Sequence, residues 1–146
     1  MTRREFMGGM AAFAAMGVKP VAAADSAALA AAKRWFKDAQ FGMMAHFGLY
    51  TLLGGEWQGR PGMHPYGEWI MHGEKIPLRD YAALAKSFNP QLFKPREWME
   101  RARDAGMKYF VITSKHHDGF ALYHSKVSKY NVVDATPFKR DLIGEI

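Results

Sequence analysis

Residues 107–120 have the sequence MKYFVITSKHHDGF, and this stretch decides the fold. Its first part, residues 107–114, is rich in β-branched and aromatic side chains, which is typical of a strand. A second short apolar run, FGMMAH at residues 41–46, lacks alternation, as expected for a strand buried on both faces of a parallel sheet. With helical spacing between the two runs, the sequence predicts a βαβ unit and an α/β fold.

Two helices are predicted between these strands. The first ends before Asn89 and presents one apolar stripe to the sheet, at helical spacings of three and four residues. The members of this stripe are Tyr81, Leu84, Ala85 and Phe88. The second helix starts with Pro95 at its first position, ends at a left-handed cap on Gly106 and is expected to bury Trp98, Ala102 and Ala105. A further helix is expected to begin within residues 139–146.

Chain length limits what these elements can form. A (β/α)8 barrel of the TIM type needs about 250 residues, whereas this chain has 146. Two strands with their helices can neither close a sheet nor cover both of its faces. We therefore interpret the chain as the truncated N-terminal portion of a larger α/β protein, rather than as a small complete domain.

The start of the chain has the pattern of an export signal. TRREFM at residues 2–7 places two arginines before a small and apolar stretch, residues 8–18, which is shorter than the roughly 20 residues of a membrane span. Lys19 and the alanines of residues 22–24 follow, as in a twin-arginine (Tat) signal with a peptidase site before Asp25. An ordinary secretory signal or an amphipathic N-terminal helix is the alternative.

This pattern predicts a division of the chain and a location for the protein. Residues 1–24 are the predicted Tat-type signal peptide, residues 25–33 a spacer, and residues 34–146 the start of the folded domain. The expected partners of the signal are the Tat translocase and a signal peptidase, which would deliver a periplasmic or secreted protein without a stable membrane anchor.

Composition excludes several classes of protein. With 49% hydrophobic and 14% aromatic residues, the chain is neither disordered nor collagen-like. It contains no cysteine, so any metal would need histidine and carboxylate ligands. Of 20 basic and 14 acidic residues, three basic and one acidic lie in the first 24, which leaves a net charge of +4 in the rest. Because no basic run reaches five residues, we expect no nucleic-acid partner.

Polar side chains follow both predicted strands. His46 ends the first strand, and KHHDGF at residues 115–120 follows the second. Ligands of parallel α/β folds bind beyond the carboxyl ends of the strands, so these side chains are expected to share a site. On a regular strand His116 and His117 would point to opposite sides. Both face one pocket if the strand has already broken into a loop, and the Asp-Gly pair that follows predicts that break.

The segment between the strands adds aromatic and acidic groups. Residues 50–76 contain two Gly-Glu-Trp triplets, at residues 55–57 and 67–69. Carboxylates and imidazoles hydrogen-bond sugar hydroxyls, and aromatic faces cover the C–H patches of sugar rings, so the pattern favours a sugar site. Two alternatives stay open. One is a non-catalytic sugar-binding domain, and the other is a metallohydrolase with ligands from His46, His116, His117 and Asp118.

Six segments together resemble the N-terminal part of the catalytic barrel of α-L-fucosidases of glycoside hydrolase family 29. The likeness covers nearly all of residues 34–146, and KHHDGF is its most specific motif. At residues 46–48 the sequence has His-Phe-Gly where His-Trp-Gly is commoner in the family. The segments are residues 35–50, 65–69, 88–90, 105–109, 113–120 and 130–134.

The resemblance implies an exo-acting glycosidase that hydrolyses terminal α-L-fucosyl linkages of a fucosylated glycan or glycoside with retention, without a metal or other cofactor. It implies that fucose is contacted by His46, Glu68, Trp69, His116 and His117. The Pro-Tyr pair before residue 67 favours Glu68-Trp69 over Glu56-Trp57. The Asp nucleophile and Glu acid/base are expected beyond Ile146, so this chain by itself is expected to hold no catalytic residue and to be inactive. Asp118 belongs to the recognition motif and is given no catalytic role.

Overall fold

The computed structural model describes residues 26–146, so the predicted signal peptide lies outside the described residues. Two compact units divide at Gln40. The described part of the first is helix α1, Ser26–Ala39, which is followed by Gln40 in the left-handed conformation (φ 52°). Residues 26–33 of the predicted spacer are helical, because alanine and lysine are strong helix formers, and the role of this segment as a spacer stays a prediction.

The second unit is built on two parallel strands. Strand β1, Met43–Ala45, pairs with strand β4, Phe110–Ile112, with Met44 opposite Val111. Both strands are shorter than predicted. Further backbone hydrogen bonds extend the pairing, from Lys108 N to Phe41 O (2.8 Å) and from Thr113 N to Ala45 O (3.3 Å). The predicted α/β arrangement of strand, helices and parallel strand is confirmed.

The two faces of this sheet differ in burial. Met43, Ala45, Phe110 and Ile112 are half-buried, and Ile112 packs against the hydrophobic core. On the other face, Met44 is 63% exposed and Val111 41% exposed. The expectation of a strand buried on both faces is thus wrong for this chain, because the described residues cover one face of the sheet.

The connection from β1 to β4 is made of short ordered pieces rather than one long loop. A 3-10 helix, Leu49–Leu52, leads into a hairpin of strands β2, Glu56–Trp57, and β3, Arg60–Pro61. A second 3-10 helix, Gly67–Trp69, continues directly into helix α2, Ile70–Gly73.

The two predicted helices are present. Helix α3, Leu78–Ala82, continues as a 3-10 helix, Ala83–Ser87. Of the predicted stripe, Tyr81, Ala85 and Phe88 are buried and Leu84 is half-buried. Helix α4, Pro95–Asp104, begins with the proline, and Gly106 follows it at φ 84°, as predicted. Ala102 is buried and Trp98 half-buried, whereas Ala105 is exposed, because it caps the helix instead of belonging to its inner face.

The last part of the chain departs from the prediction. Helix α5, Val132–Ala135, is capped by Asn131, whose side-chain oxygen accepts hydrogen bonds from the backbone N–H of Val133 and Asp134. The helix expected within residues 139–146 is replaced by a single turn, in which Asp141 accepts from the N–H of Gly144 and Glu145. Glycine weakens a helix interior, which explains the short turn.

The hydrophobic core lies between the helical segment of residues 78–88 and the chain that follows β4. Leu49 of the first 3-10 helix is fully buried between them, together with large side chains from both parts: Tyr81, Phe88, Phe120, Leu122, Val132 and Leu142. Helices in residues 26–146 all fall short of the length and apolar character that crossing a membrane requires.

Candidate active site

The carboxyl ends of β1 and β4 are joined by one side chain. Thr113 follows β4, and its hydroxyl contacts the backbone N–H and carbonyl of Phe47, which follows β1, at 3.3 and 3.4 Å. The same hydroxyl lies 3.2 Å from the Tyr50 hydroxyl. These contacts fix the two strand ends, and the histidines that follow them, relative to each other.

Residues 116–119 form a tight turn, which we call the histidine turn. The N–H of Gly119 donates to the carbonyl of His116 (3.0 Å), and Gly119 adopts φ 82°, a conformation that glycine tolerates best. Because β4 has ended at Ile112, the two histidine rings lie side by side, with centroids 4.2 Å apart. The prediction that the strand breaks before the histidine pair is confirmed.

His46 joins this pair from the end of β1. Its ring lies edge-on to His116, with the two centroids 5.4 Å apart. Tyr50 contacts His116 from another side, at 5.6 Å between centroids. A side chain at Gly48 would meet the Tyr50 ring at 2.8 Å, so the close approach of this ring requires a glycine there.

Glu68 and Trp69 reach the site from the 3-10 helix Gly67–Trp69. The Trp69 indole lies 4.7 Å from the His117 ring and remains 42% exposed, so one aromatic surface is open to a ligand. Glu68 is half-buried, and its negative charge contributes to raising the pKa of Tyr50, after the larger effect of burial. Glu56 and Trp57 lie in the hairpin instead, where Trp57 packs against the core.

Asp118 points away from the histidines into the protein. It is 5% exposed, and its two oxygens accept hydrogen bonds from the Tyr81 hydroxyl and the Phe120 N–H, both at 3.0 Å. Burial, followed by the negative charge of Asp118, raises the pKa of Tyr81, so the hydroxyl keeps its proton. Both carboxylate oxygens are therefore engaged in holding the turn.

His116 is electrostatically distinct. Burial and then the neighbouring His117 lower its pKa from the ordinary value, while Asp118 and Glu68 oppose the shift. A histidine with a lowered pKa is neutral at pH 7 and has one donor and one acceptor nitrogen. Its Nδ1 is buried and has no hydrogen-bond partner among the described residues.

A cleft of about 450 Å³ opens beside the histidine turn. Its lining includes His117, together with residues of α2 and the segment after it, and combines apolar and basic groups. The lining residues are Met71, His72, Lys75, Ile76 and His117. His72 also meets the Trp69 ring edge-on, at 6.1 Å between centroids.

The structure thus brings together the five residues that the sequence singles out for sugar contact. Three imidazoles and a carboxylate supply hydrogen-bonding groups, and an exposed indole supplies an apolar face. Sequence reasoning missed Tyr50 and Thr113, and it counted Tyr81 as core alone. The available signal was the position of Tyr81 in a stripe predicted to be buried, because a buried tyrosine hydroxyl needs a hydrogen-bond partner.

The geometry does not favour the metal alternative. In residues 26–146 no group of three or more histidine, cysteine or acidic residues is arranged to hold a metal ion. Asp118, the carboxylate that this alternative requires, is turned to Tyr81 instead.

Retaining glycosidases need two carboxyl groups about 5–5.5 Å apart. With Asp118 engaged beneath the turn, the described side of the site offers Glu68 and so does not supply that pair.

The site therefore places imidazole, carboxylate and indole groups, which are suited to contacting sugars, at the strand ends of an α/β scaffold. The family model for alpha-L-fucosidase matches residues 15–146, and the chain belongs to this family.

Relatives and solved structures agree with this assignment. The tissue alpha-L-fucosidase of Rattus norvegicus is 38% identical over 122 residues, which cover 77% of this chain and 26% of the rat protein. The human tissue enzyme is 36% identical, with 77% and 25% covered. The unliganded alpha-L-fucosidase AlfC from Lactobacillus casei is 54% identical, with a TM-score of 0.74 over 77% of this chain and 34% of AlfC. The chain spans about a quarter of the length of the curated relatives it matches.

Proposed function

We propose that the complete gene product is an exo-acting α-L-fucosidase that hydrolyses terminal α-L-fucosyl linkages of glycans or glycosides with retention. The observation that carries this proposal is the convergence of His46, His116, His117 and Trp69 at the ends of two paired parallel strands. Membership of the alpha-L-fucosidase family supports fucose as the sugar that this site binds. One structure of the related AlfC is a complex with α-L-fucose product.

The described domain is the N-terminal portion of a (β/α)8 barrel in this proposal. The exposed sheet face that carries Met44 and Val111 then lies towards the barrel interior, where later strands cover it. The histidines lie at the carboxyl ends of the strands, the end at which barrel enzymes bind their substrates.

In this proposal the described residues bind the sugar, and residues from the later part of the protein cleave the glycosidic bond. Glu68 and the three histidines hydrogen-bond fucose hydroxyls, and Trp69 covers an apolar patch of the ring. The Asp nucleophile and the Glu acid/base lie beyond Ile146. The neutral His116 suits the binding of a fucose hydroxyl, because a neutral imidazole both donates to and accepts from a hydroxyl.

Steady-state kinetics of the complete gene product with an aryl α-L-fucoside test the site. Truncating a hydrogen-bonding partner that the bound sugar shields from water costs roughly 1–3 kcal/mol, so His116→Ala and His117→Ala should each lower kcat/KM by about 5- to 150-fold. His124→Ala is the matched control, because His124 is exposed and lies outside the site. Full activity in both site variants would remove the assignment, and chelator-sensitive activity with stoichiometric metal would transfer these histidines to a metal site.

The protein is also proposed to leave the cytoplasm through the Tat translocase, with cleavage by a signal peptidase before Asp25. The twin arginine at Arg3-Arg4 and the short apolar stretch after it support this. Replacing both arginines by lysine should retain the precursor in the cytoplasm. An undiminished amount of periplasmic mature protein in the double variant would contradict the proposal.

A further inference from the structure

We infer that Tyr81 is a positioning residue of the fucose site, which acts through Asp118 on the turn that carries both histidines. The inference rests on the proposed function, because it concerns how the same site is held. Tyr81 lies on α3 and is fully buried. Its hydroxyl donates to Asp118 Oδ2 at 3.0 Å across 37 residues of sequence.

Through Asp118, the hydrogen bond from Tyr81 restrains the turn that carries the two histidines. It is the third residue of the histidine turn, directly after His117. Its other oxygen accepts from the Phe120 N–H, so the carboxylate is held on one side by the turn and on the other by Tyr81. A carboxylate fixed at both oxygens cannot rotate, and the peptide that presents His116 and His117 is fixed with it.

Tyr130 provides an internal comparison beneath the same turn. Its ring lies edge-on to Phe120, with centroids 5.2 Å apart, and approaches Gly119. The Tyr130 hydroxyl is buried and has no hydrogen-bond partner among the described residues. Two buried phenol hydroxyls thus lie under the histidine turn, and the structure shows a hydrogen bond to Asp118 from that of Tyr81.

The experiment compares Tyr81→Phe with Tyr130→Phe in the complete gene product, because each change removes one buried hydroxyl and keeps the ring. For an aryl α-L-fucoside, Tyr81→Phe should raise KM, and the inhibition constant of free fucose, by about 10-fold. Tyr130→Phe should leave both within about twofold of wild type. A Tyr81→Phe enzyme with wild-type constants for substrate and fucose overturns the inference, even if its melting temperature falls.

Asp118 variants decide the matter if Tyr81→Phe does not fold. Asp118→Asn keeps an oxygen for the Phe120 N–H and an amide that can donate to the Tyr81 oxygen, whereas Asp118→Ala removes both. The asparagine variant should stay within about threefold of the wild-type KM and the alanine variant should exceed it by 10-fold or more. Equal KM values in the two variants overturn the inference. An inactive wild-type protein would instead contradict the proposed function.

Discussion

The two sides of the proposed fucose site are held by different forces. The histidine turn is tied from beneath by buried hydrogen bonds, through Asp118 to Tyr81 and to the Phe120 N–H. The opposite side, residues 62–73, which we call the tryptophan segment, is anchored in the core by Ile70, but its remaining side chains are exposed or half-buried. Around Trp69 it is held by the stacking of His64 on Trp69, with centroids 6.1 Å apart, and by an exposed hydrogen bond from the Met63 N–H to Glu74 (2.6 Å).

The difference teaches which part of the site is preorganised. A buried carboxylate with two donors allows one geometry, since breaking either bond leaves an unpaired polar group in the interior. An exposed hydrogen bond exchanges with water at little cost, so the tryptophan segment can adjust around a ligand. We therefore expect fixed recognition of the sugar hydroxyls by the histidines and an adaptable aromatic cover.

The largest expected effect is the loss of stability in Asp118→Ala. Two buried donors would lose their acceptor at roughly 1–3 kcal/mol each, so the free energy of unfolding should fall by about 2–6 kcal/mol. Denaturant unfolding of the complete gene product measures this change. A loss below about 1 kcal/mol would mean that the two sides of the site are held equally weakly, and the comparison would fail.

Trp69→Ala should have the next largest effect, on binding instead of folding. Removing the exposed indole should raise KM for an aryl fucoside by about 10-fold, equivalent to about 1.4 kcal/mol, with a small change in the melting temperature. Trp69→Phe is the matched control, because it keeps an aromatic face and should recover most of the loss. A large fall in stability with an unchanged KM would show that Trp69 is a packing residue.

Features that depend on local sequence patterns could be predicted from the sequence alone. The strands at β1 and β4, the stripe of Tyr81, Ala85 and Phe88, and the caps at Pro95 and Gly106 follow from local patterns, and the structure confirms them. The break before the histidine pair was also predictable, because adjacent side chains on a strand cannot share a pocket.

Other features depend on contacts that no local pattern contains. The bond between Tyr81 and Asp118 joins residues 37 positions apart, and the link from Thr113 to Phe47 spans 66. Residues 26–33 are helical, which the spacer prediction for this segment did not anticipate, and residues 139–146 form one turn instead of the predicted helix. In both cases the periodicity of a short segment did not decide its conformation.

Glu74→Ala should have a smaller effect than either change above. It removes the acceptor for the Met63 N–H at an exposed position, so we expect a loss of stability of about 0.5–1 kcal/mol and a rise in KM of two- to threefold. Glu74→Gln keeps an acceptor oxygen and should behave like wild type. If Glu74→Ala matched Asp118→Ala in stability, the tryptophan segment would be as firmly held as the histidine turn.

The smallest expected effect is a dependence of stability on pH that originates in His116. Burial and His117 lower the pKa of His116 in the folded protein, with a smaller contribution from His46 in the same direction, against the opposing charges of Asp118 and Glu68. The unfolded chain, with an ordinary histidine pKa of about 6.5, then binds more protons than the folded protein as the pH falls through that value. Protonation therefore favours unfolding: the penalty is absent well above pH 6.5 and complete below the lowered folded pKa. Between pH 7.5 and 5, the melting temperature of the wild type should fall more than that of His116→Gln. Parallel pH profiles for the wild type and His116→Gln would show that protonation of His116 is not coupled to folding.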